Sequence, residues 1–378
     1  MTAVIGHSTS WTVIGGGAGG IVAVASLLDN GVESSNISWV DPCFDGGLLG
    51  RKYRSVWGNT PVRLLIDFFA ASRSFPPDLD RTKFPLFDPE RDQDDVCTIH
   101  EFVEPLIVVA EHLRKRVVCF RENAERIEPV SGPDSPARWS IICNSGTRIL
   151  TQNVILAIGS SPRSLSLPVQ HQNIPIIALE DALQIDKLQT LCTPADTVAV
   201  FGSAHSAIMI VRDLLETAHV AKVVNFYRPG HDELRFCEPH PEGFGTINFI
   251  NGIKGRTGVW AKNNLLQNTI GTDRLVRVPS DEENLVKLLA GVNSIIMAVG
   301  FERKTLAIDG VDWDAVGDLY TDAEVEGMIA PGIFGAGIGF PEPLPDAVGT
   351  MEYQVGLGPF MKHMLRVMPI WIATGRCE

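Results

Sequence analysis

The chain has no uninterrupted apolar run of about 20 residues, the length a helix needs to cross a bilayer, so no transmembrane helix is expected. It also lacks any Cys-x-x-Cys or Cys-x4-Cys pair, although Cys43, Cys97, Cys119, Cys143, Cys192, Cys237 and Cys377 are present. An odd, unpatterned cysteine set reads as free thiols in a reducing, cytoplasmic compartment. Basic residues are in deficit: 32 Lys and Arg stand against 45 Asp and Glu, a formal net charge of −13. A nucleic-acid surface needs concentrated cations, so none is expected. GxSxG, HExxH and Walker loops are absent, as are low-complexity tracts. Met1–Ser10 do not have the pattern of a secretory leader. His231, Glu238 and His240 lie close in sequence without ligand spacing, so no metal site is expected.

What is present is enough for a large core. The 378 residues are 45% hydrophobic, which suits two domains. Trp11–Ile14 reads as a strand, Gly15–Gly20 as a loop and Ile21–Leu28 as a helix stopped by Asn30-Gly31. Ile37–Val40 is the next strand, which completes one βαβ unit. Residues 42–95 read as irregular, and Ile99–Lys115 as a helix. Strands are expected at Val117–Phe120, Arg126–Glu128, Trp139–Cys143 and Asn153–Ile158, with a turn at Ser131–Pro136. A second βαβ unit runs from the strand Thr197–Phe201 through a helix ending near Glu216 to the strand Val223–Tyr227. Ser294–Val299 is a strand, and Tyr353–Leu365 a closing helix. The tail Phe360–Ala373 reads as packed helix rather than membrane surface.

Gly15-Gly16-Gly17-Ala18-Gly19-Gly20 fits GxGxxG between a strand and a helix. Gly15 permits the tight turn, Gly17 a close approach to pyrophosphate, and Gly20 close packing of the helix. The helix start offers free N–H groups and a positive dipole end to phosphate. Asp41 ends the second strand, 26 positions after Gly15, where a carboxylate can accept from ribose hydroxyls. Gly202-Ser203-Ala204-His205-Ser206-Ala207 is a degraded copy in the same context. Arg228 stands 26 positions after Gly202; an arginine there suits a 2′-phosphate, so NADPH fits better than NADH. A vestigial, purely structural second loop is the opposing reading. His205 suits either the nucleotide or loop packing.

These two loops, with Leu156–Arg163 and Met297–Glu302, resemble the two-dinucleotide-binding-domain flavoproteins. That superfamily includes the pyridine nucleotide-disulfide oxidoreductases and the flavin-containing monooxygenases. The resemblance covers nearly the whole chain. It implies an α/β fold with two Rossmann-like domains, the second inserted in the first. Residues 1–190 and 301–378 would form the FAD-binding domain, and 191–300 the NAD(P)H-binding domain. The two strand-Gly motifs are where such chains cross between domains. Pro331–Gly339 resembles the closing flavin motif, with Gly337 and Ile338 at the cofactor; Ile338 replaces the usual aspartate. Disulfide reductases use a cysteine pair that this chain lacks, and Cys43 is read as structural. Gly46–Tyr53 resembles the monooxygenase GG-x-W-R-Y region without its tryptophan, and Asn59-Thr60 the Asn-Thr pair at the flavin face. A simple turn at Gly58–Pro61 is the alternative for that pair. The FxGxxxHxxx signature is absent, and His171 matches it poorly.

The resemblance therefore implies that FAD touches Gly15–Gly20, Asp41, Pro42, Arg51, Asn59, Thr60, Gly159, Gly337 and Ile338. NADPH would touch Gly202, Ser203, His205, Ser206 and Arg228. Asn59 is the expected polar group at the flavin. The expected activity is an FAD-dependent, NADPH-using monooxygenase acting on a small molecule. The alternatives are a reductase or dehydrogenase without a redox disulfide, and a non-catalytic flavin or nucleotide sensor. An oxidase drawing electrons from its substrate, and a homodimer, also stay open. Residues 61–95 are expected on the substrate side.

Overall fold

The computed structural model describes residues 5–130, 135–231, 233–239, 247–249, 251–316, 324–345, 349 and 351–376. It is a mixed α/β structure built on two main sheets. In the first, the strand Ile5–Ile14 lies between Ile37–Val40 and Arg148–Leu156, parallel to both. Val118–Phe120 extends this parallel run beyond Ile37–Val40. Ile333–Gly335 adds in parallel to the end of Arg148–Leu156. Trp139–Cys143 and Ala124–Pro129 continue the sheet antiparallel. The second sheet is wholly parallel, in the order Ile176–Ile177, Ser294–Met297, Thr197–Phe201, Lys222–Tyr227, Leu275–Pro279. Its residues all fall, along the chain, between Leu156 and Ala307 of the first sheet.

Parallel strands are covered on both faces and so read as apolar runs. Ile37–Val40 is buried at every position, as are Val198–Phe201. The helix Ala18–Asp29 starts three residues before the expected Ile21. Gly19 and Gly20 sit in its first turn, where they touch backbone and leave no room for side chains. Gly31 follows its end with a φ of +78°, the expected stop.

Two expectations are corrected. Residues 42–95 are not irregular throughout: Gly47–Lys52 and Val62–Ala70 are helices. Val62, Leu65, Phe68 and Phe69 form the buried stripe of the second. Phe68 and Phe69 each pack on Phe75 and Phe102, so tertiary packing holds a helix too short to persist alone. The closing helix is Leu357–Arg376, starting later and ending later than the expected Tyr353–Leu365. Met361, Met364, Val367, Met368 and Trp371 carry its apolar stripe into the core that also holds the first helix. The turn at Ser131–Pro136 falls mostly outside the described residues.

The two strand-Gly motifs meet. Ser160–Pro162 pairs antiparallel with Phe301–Arg303. Arg163 N–H donates to the Gly300 carbonyl (3.0 Å), and Lys304 N–H to Gly159 (3.2 Å). The chain leaves the first sheet and returns to it along this one ribbon. No helix among the described residues is long and apolar enough to cross a membrane.

A Cβ on Gly20 would overlap the Gly15 carbonyl oxygen. Gly20→Ala is expected to cost about 2–3 kcal/mol through overpacking, read as a lower urea midpoint.

Candidate functional site

The first glycine loop is fixed from both sides. Gly15 adopts a φ of +116°, and a Cβ there would overlap the Ala157 carbonyl of the neighbouring strand. Gly15 N–H donates to Val40 (2.8 Å), while the Trp39 indole N–H donates to the Gly15 carbonyl (2.8 Å). Asp41 is buried at 7% exposure. Its Oδ2 accepts from Gly16 N–H (2.6 Å), and its Oδ1 from Cys43 (2.8 Å) and Phe44 (2.6 Å). The carboxylate thus ties the loop to the turn after the second strand. Oδ2 keeps one lone pair for a further donor.

Three other segments converge on this loop. Gly17 bridges to Gly46, and a Cβ on Gly47 would crowd Gly17. Gly19 faces Gly337: a Cβ on Gly19 would lie 3.1 Å from the Gly337 Cα. A Cβ on Gly339 would lie 2.6 Å from the Gly159 carbonyl, which brings the crossing point to the closing segment. Arg303 Nε donates to the Gly339 carbonyl (2.9 Å), and its guanidinium lies over Phe340. The structure therefore brings Gly15–Gly20, Asp41, Gly159 and Gly337 together. Ile338 is partly exposed beside them at 39%. Pro42 is exposed on the turn after Asp41. Arg51 is exposed and paired with Asp45 (2.7 Å).

This first loop fits an anionic dinucleotide. Gly17 caps the helix without a side-chain cap bond, and no acidic residue lies in the first turn. By contrast, Asp281 caps the helix Glu282–Leu289 through the Asn284 N–H. A Cβ placed on Gly17 would meet no protein atom closer than 3.9 Å, so the packing of the chain does not explain that glycine. Free helix N–H groups attract a phosphate, and a bare Cα lets it approach more closely than an alanine would. Lys304, anchored to Gly159, has its ammonium pKa lowered by burial and then by Arg51 and Lys52.

The second loop repeats the first. Gly202 has a φ of +119°, and its Cβ would overlap the Ala298 carbonyl as that of Gly15 would overlap Ala157. Gly202 N–H donates to Phe226 (2.8 Å) as Gly15 does to Val40. The caps match too: Gly17 has φ −79°, ψ −177°, and Ala204 φ −87°, ψ −177°. Alanine at that position therefore leaves the loop shape unchanged. The helix His205–Glu216 also lacks a side-chain cap and an acidic first turn. The Ser203 and Ser206 hydroxyls make no hydrogen bond to the described residues. Arg228 is exposed just past the end of Lys222–Tyr227, with no ion pair among the described residues.

Asn59 and Thr60 lie in the strand Trp57–Pro61, which pairs with Val96–Thr98. Neither side chain hydrogen-bonds a described residue. Their neighbours Trp57 and Gly58 line a cavity of about 230 Å³ together with His205, Arg212, Asp213, Lys254 and Arg256. Sequence reasoning missed this wall. Arg256 stacks over Trp57 at 4.2 Å and pairs with Asp95 (3.3 Å). Of the segment 61–95, no residue lines this cavity. His205 Nδ1 accepts from the Lys254 N–H (3.4 Å), so a neutral ring carries its proton on Nε2. Burial, then Lys254 and Arg212, push its pKa down to about 4.

The described cysteines are all free thiols. Burial raises Cys97, Cys119 and Cys192 to about 11 and Cys143 to about 12, which keeps them protonated. Glu326, Glu342 and His363 cluster closely enough to hold a cation, but Arg366 pairs with both carboxylates and fills that role.

Comparison with known proteins agrees with this geometry. Residues 91–232 match a family described as L-lysine 6-monooxygenase/L-ornithine 5-monooxygenase. The chain is 29% identical over 393 aligned positions to Monooxygenase AgnR1 of Paecilomyces divaricatus, covering 96% of this chain and 97% of that protein. Its fold is shared with ornithine hydroxylase from Pseudomonas aeruginosa (TM-score 0.63, 13% identity, 97% and 99% of the two chains). It is shared equally with Kutzneria sp. 744 ornithine N-hydroxylase, solved with reduced FAD, NADP+ and L-ornithine (TM-score 0.62, 13% identity, 97% and 99%). The chain is thus a homologue of a monooxygenase along its length, with the fold of the flavin-dependent enzymes.

Two outcomes test the site. Gly17→Ala meets no protein atom and imposes no backbone strain, so the variant is expected to fold like the parent. Its FAD-to-protein absorbance ratio is expected to fall. The neutral His205 binds fewer protons folded than unfolded between its ordinary value of 6.5 and about 4. Stability is therefore present above that window and is lost as pH drops through it. His205→Asn is expected to flatten the pH dependence of the urea midpoint there by roughly 2 kcal/mol.

Proposed function

We propose that this protein is an FAD-dependent, NADPH-using monooxygenase acting on a small molecule. The observation that carries the reading is the pair of strand–loop–helix turns, each entered by a positive-φ glycine pressed on a neighbouring strand's carbonyl, in a chain similar along its length to a monooxygenase. The first loop, with Asp41, Gly159 and Gly337, would hold FAD. Pro42, Arg51 and Ile338 lie on segments that border it, while Asn59 and Thr60 stand in the strand Trp57–Pro61 beside the cavity that His205 lines; on this reading all five would touch FAD. Gly202, Ser203, His205, Ser206 and Arg228 would hold NADPH. On this reading residues 1–190 and 301–378 form one dinucleotide-binding domain, and 191–300 a second one inserted in it. The pairing of Ile176–Ile177 with Ile295–Ile296 favours an earlier entry into the inserted domain.

Bound FAD, reduced by NADPH, would supply the oxygen chemistry. The chain's part is to bind, orient and exclude water. The helix N–H groups at Gly17 and Ala204 neutralise phosphate charge. Arg228 offers a forked cation to the 2′-phosphate. His205, held neutral, presents an Nε2–H donor without adding charge. Asn59 offers an amide with no hydrogen-bond partner among the described residues, near the cavity that Trp57 and Arg256 wall, and that cavity suits a small substrate. The described cysteines form no disulfide, which leaves a reductase or dehydrogenase without a redox disulfide as the competing enzyme.

Purified protein is expected to absorb near roughly 370 and 450 nm, as a bound flavin does. With substrate, oxygen uptake should match NADPH consumed and hydroxylated product formed. Rapid transfer to quinones without oxygen uptake would instead make it a reductase. A flavin left oxidised under excess NADPH would make it a sensor, or an oxidase fed by its own substrate. Arg228→Gln is expected to raise KM for NADPH by about 10–100-fold and leave NADH kinetics unchanged.

A further inference from the structure

The two loops are held by different side chains at the same register position. In the first, Val40 accepts from Gly15 N–H, and the residue before it, Trp39, donates to the Gly15 carbonyl. In the second, Phe226 accepts from Gly202 N–H, and the residue before it is Asn225. Asn225 is fully buried. Its Nδ2 donates to the carbonyls of both Gly202 (2.8 Å) and Val200 (3.0 Å). An indole can donate only one way. A primary amide can flip, and a flipped Asn225 would set its oxygen against two carbonyl oxygens.

Those two carbonyls disfavour the flip, and a third contact adds to them. Arg277, on the adjacent strand Leu275–Pro279, donates from Nε to Asn225 Oδ1 (2.9 Å). Its guanidinium is steadied over the Tyr227 ring at 5.5 Å. We propose that Arg277 and Asn225 form a latch that sets the Gly202 loop for the dinucleotide phosphates, so that Arg277 is a positioning residue for NADPH. The latch does for this glycine-poor loop what Trp39 does for the first. This rests on the reading of the second loop as the NADPH site. It goes further by making nucleotide affinity depend on a residue that lies outside the loop.

The test separates positioning from charge. Glutamine carries Nε2 at the same chain position as the arginine Nε, so Arg277→Gln keeps the donor and removes the charge. Arg277→Met removes both. In the FAD-loaded protein, Arg277→Met is expected to weaken NADP+ binding about tenfold by calorimetry. It should also speed amide hydrogen exchange at Gly202–His205. Arg277→Gln is expected to restore both readouts to within roughly threefold of the parent. FAD content and exchange at the Gly15 loop should not change in either. Equal loss of affinity in both variants with parental loop exchange would make Arg277 a simple charge and overturn the latch. Parental behaviour in both would overturn it too. If the parent binds no NADP+, the NADPH reading fails, and loop exchange still decides the latch.

Discussion

The structure depends on one close approach made twice. A glycine in the left-handed region ends a parallel strand and presses its Cα against the carbonyl of an alanine one strand over. Gly15 does this against Ala157, and Gly202 against Ala298. No other residue type fits, because a Cβ would overlap that carbonyl and the positive φ would strain it. The contact aims the following helix so that its unbonded N–H groups open onto the ends of the strands. The crevice beyond the carboxyl ends of parallel strands is where α/β folds bind ligands. Both candidate sites follow from this packing contact.

The rest of the chain serves that geometry. The closing segment reaches the first loop because Gly19 and Gly337 lack side chains, and its Gly339 reaches the crossing ribbon for the same reason. The closing helix then packs its methionines and Trp371 into the core of the first helix. That seals the back of the site with apolar surface and leaves the phosphate end free. The ribbon Ser160–Pro162 with Phe301–Arg303 carries the chain out and back on one line.

Electrostatics divides the labour between the loops. Asp41 spends three of its acceptor sites on backbone N–H groups, so it is as much a staple of the loop as a ligand group. Arg228, at the equivalent offset, is exposed and its side chain pairs with no acid among the described residues.

The glycine loops, the offsets of Asp41 and Arg228, the parallel strands and the strand-Gly crossing points were all legible in the residues. Each rests on a local rule: backbone freedom at glycine, apolar runs in buried strands, or charge at a strand end. The helix Val62–Ala70 and the true length of the closing helix were not, because a short helix and the ends of a long one are set by what they pack against. The cavity wall of Trp57, Arg212 and Arg256 was hidden for the same reason, since its members are distant in sequence. Trp39 and Asn225 looked like ordinary strand residues. Only the tertiary register put an indole N–H and an amide against the first carbonyl of each loop, and only a third strand brought a guanidinium to the oxygen of that amide.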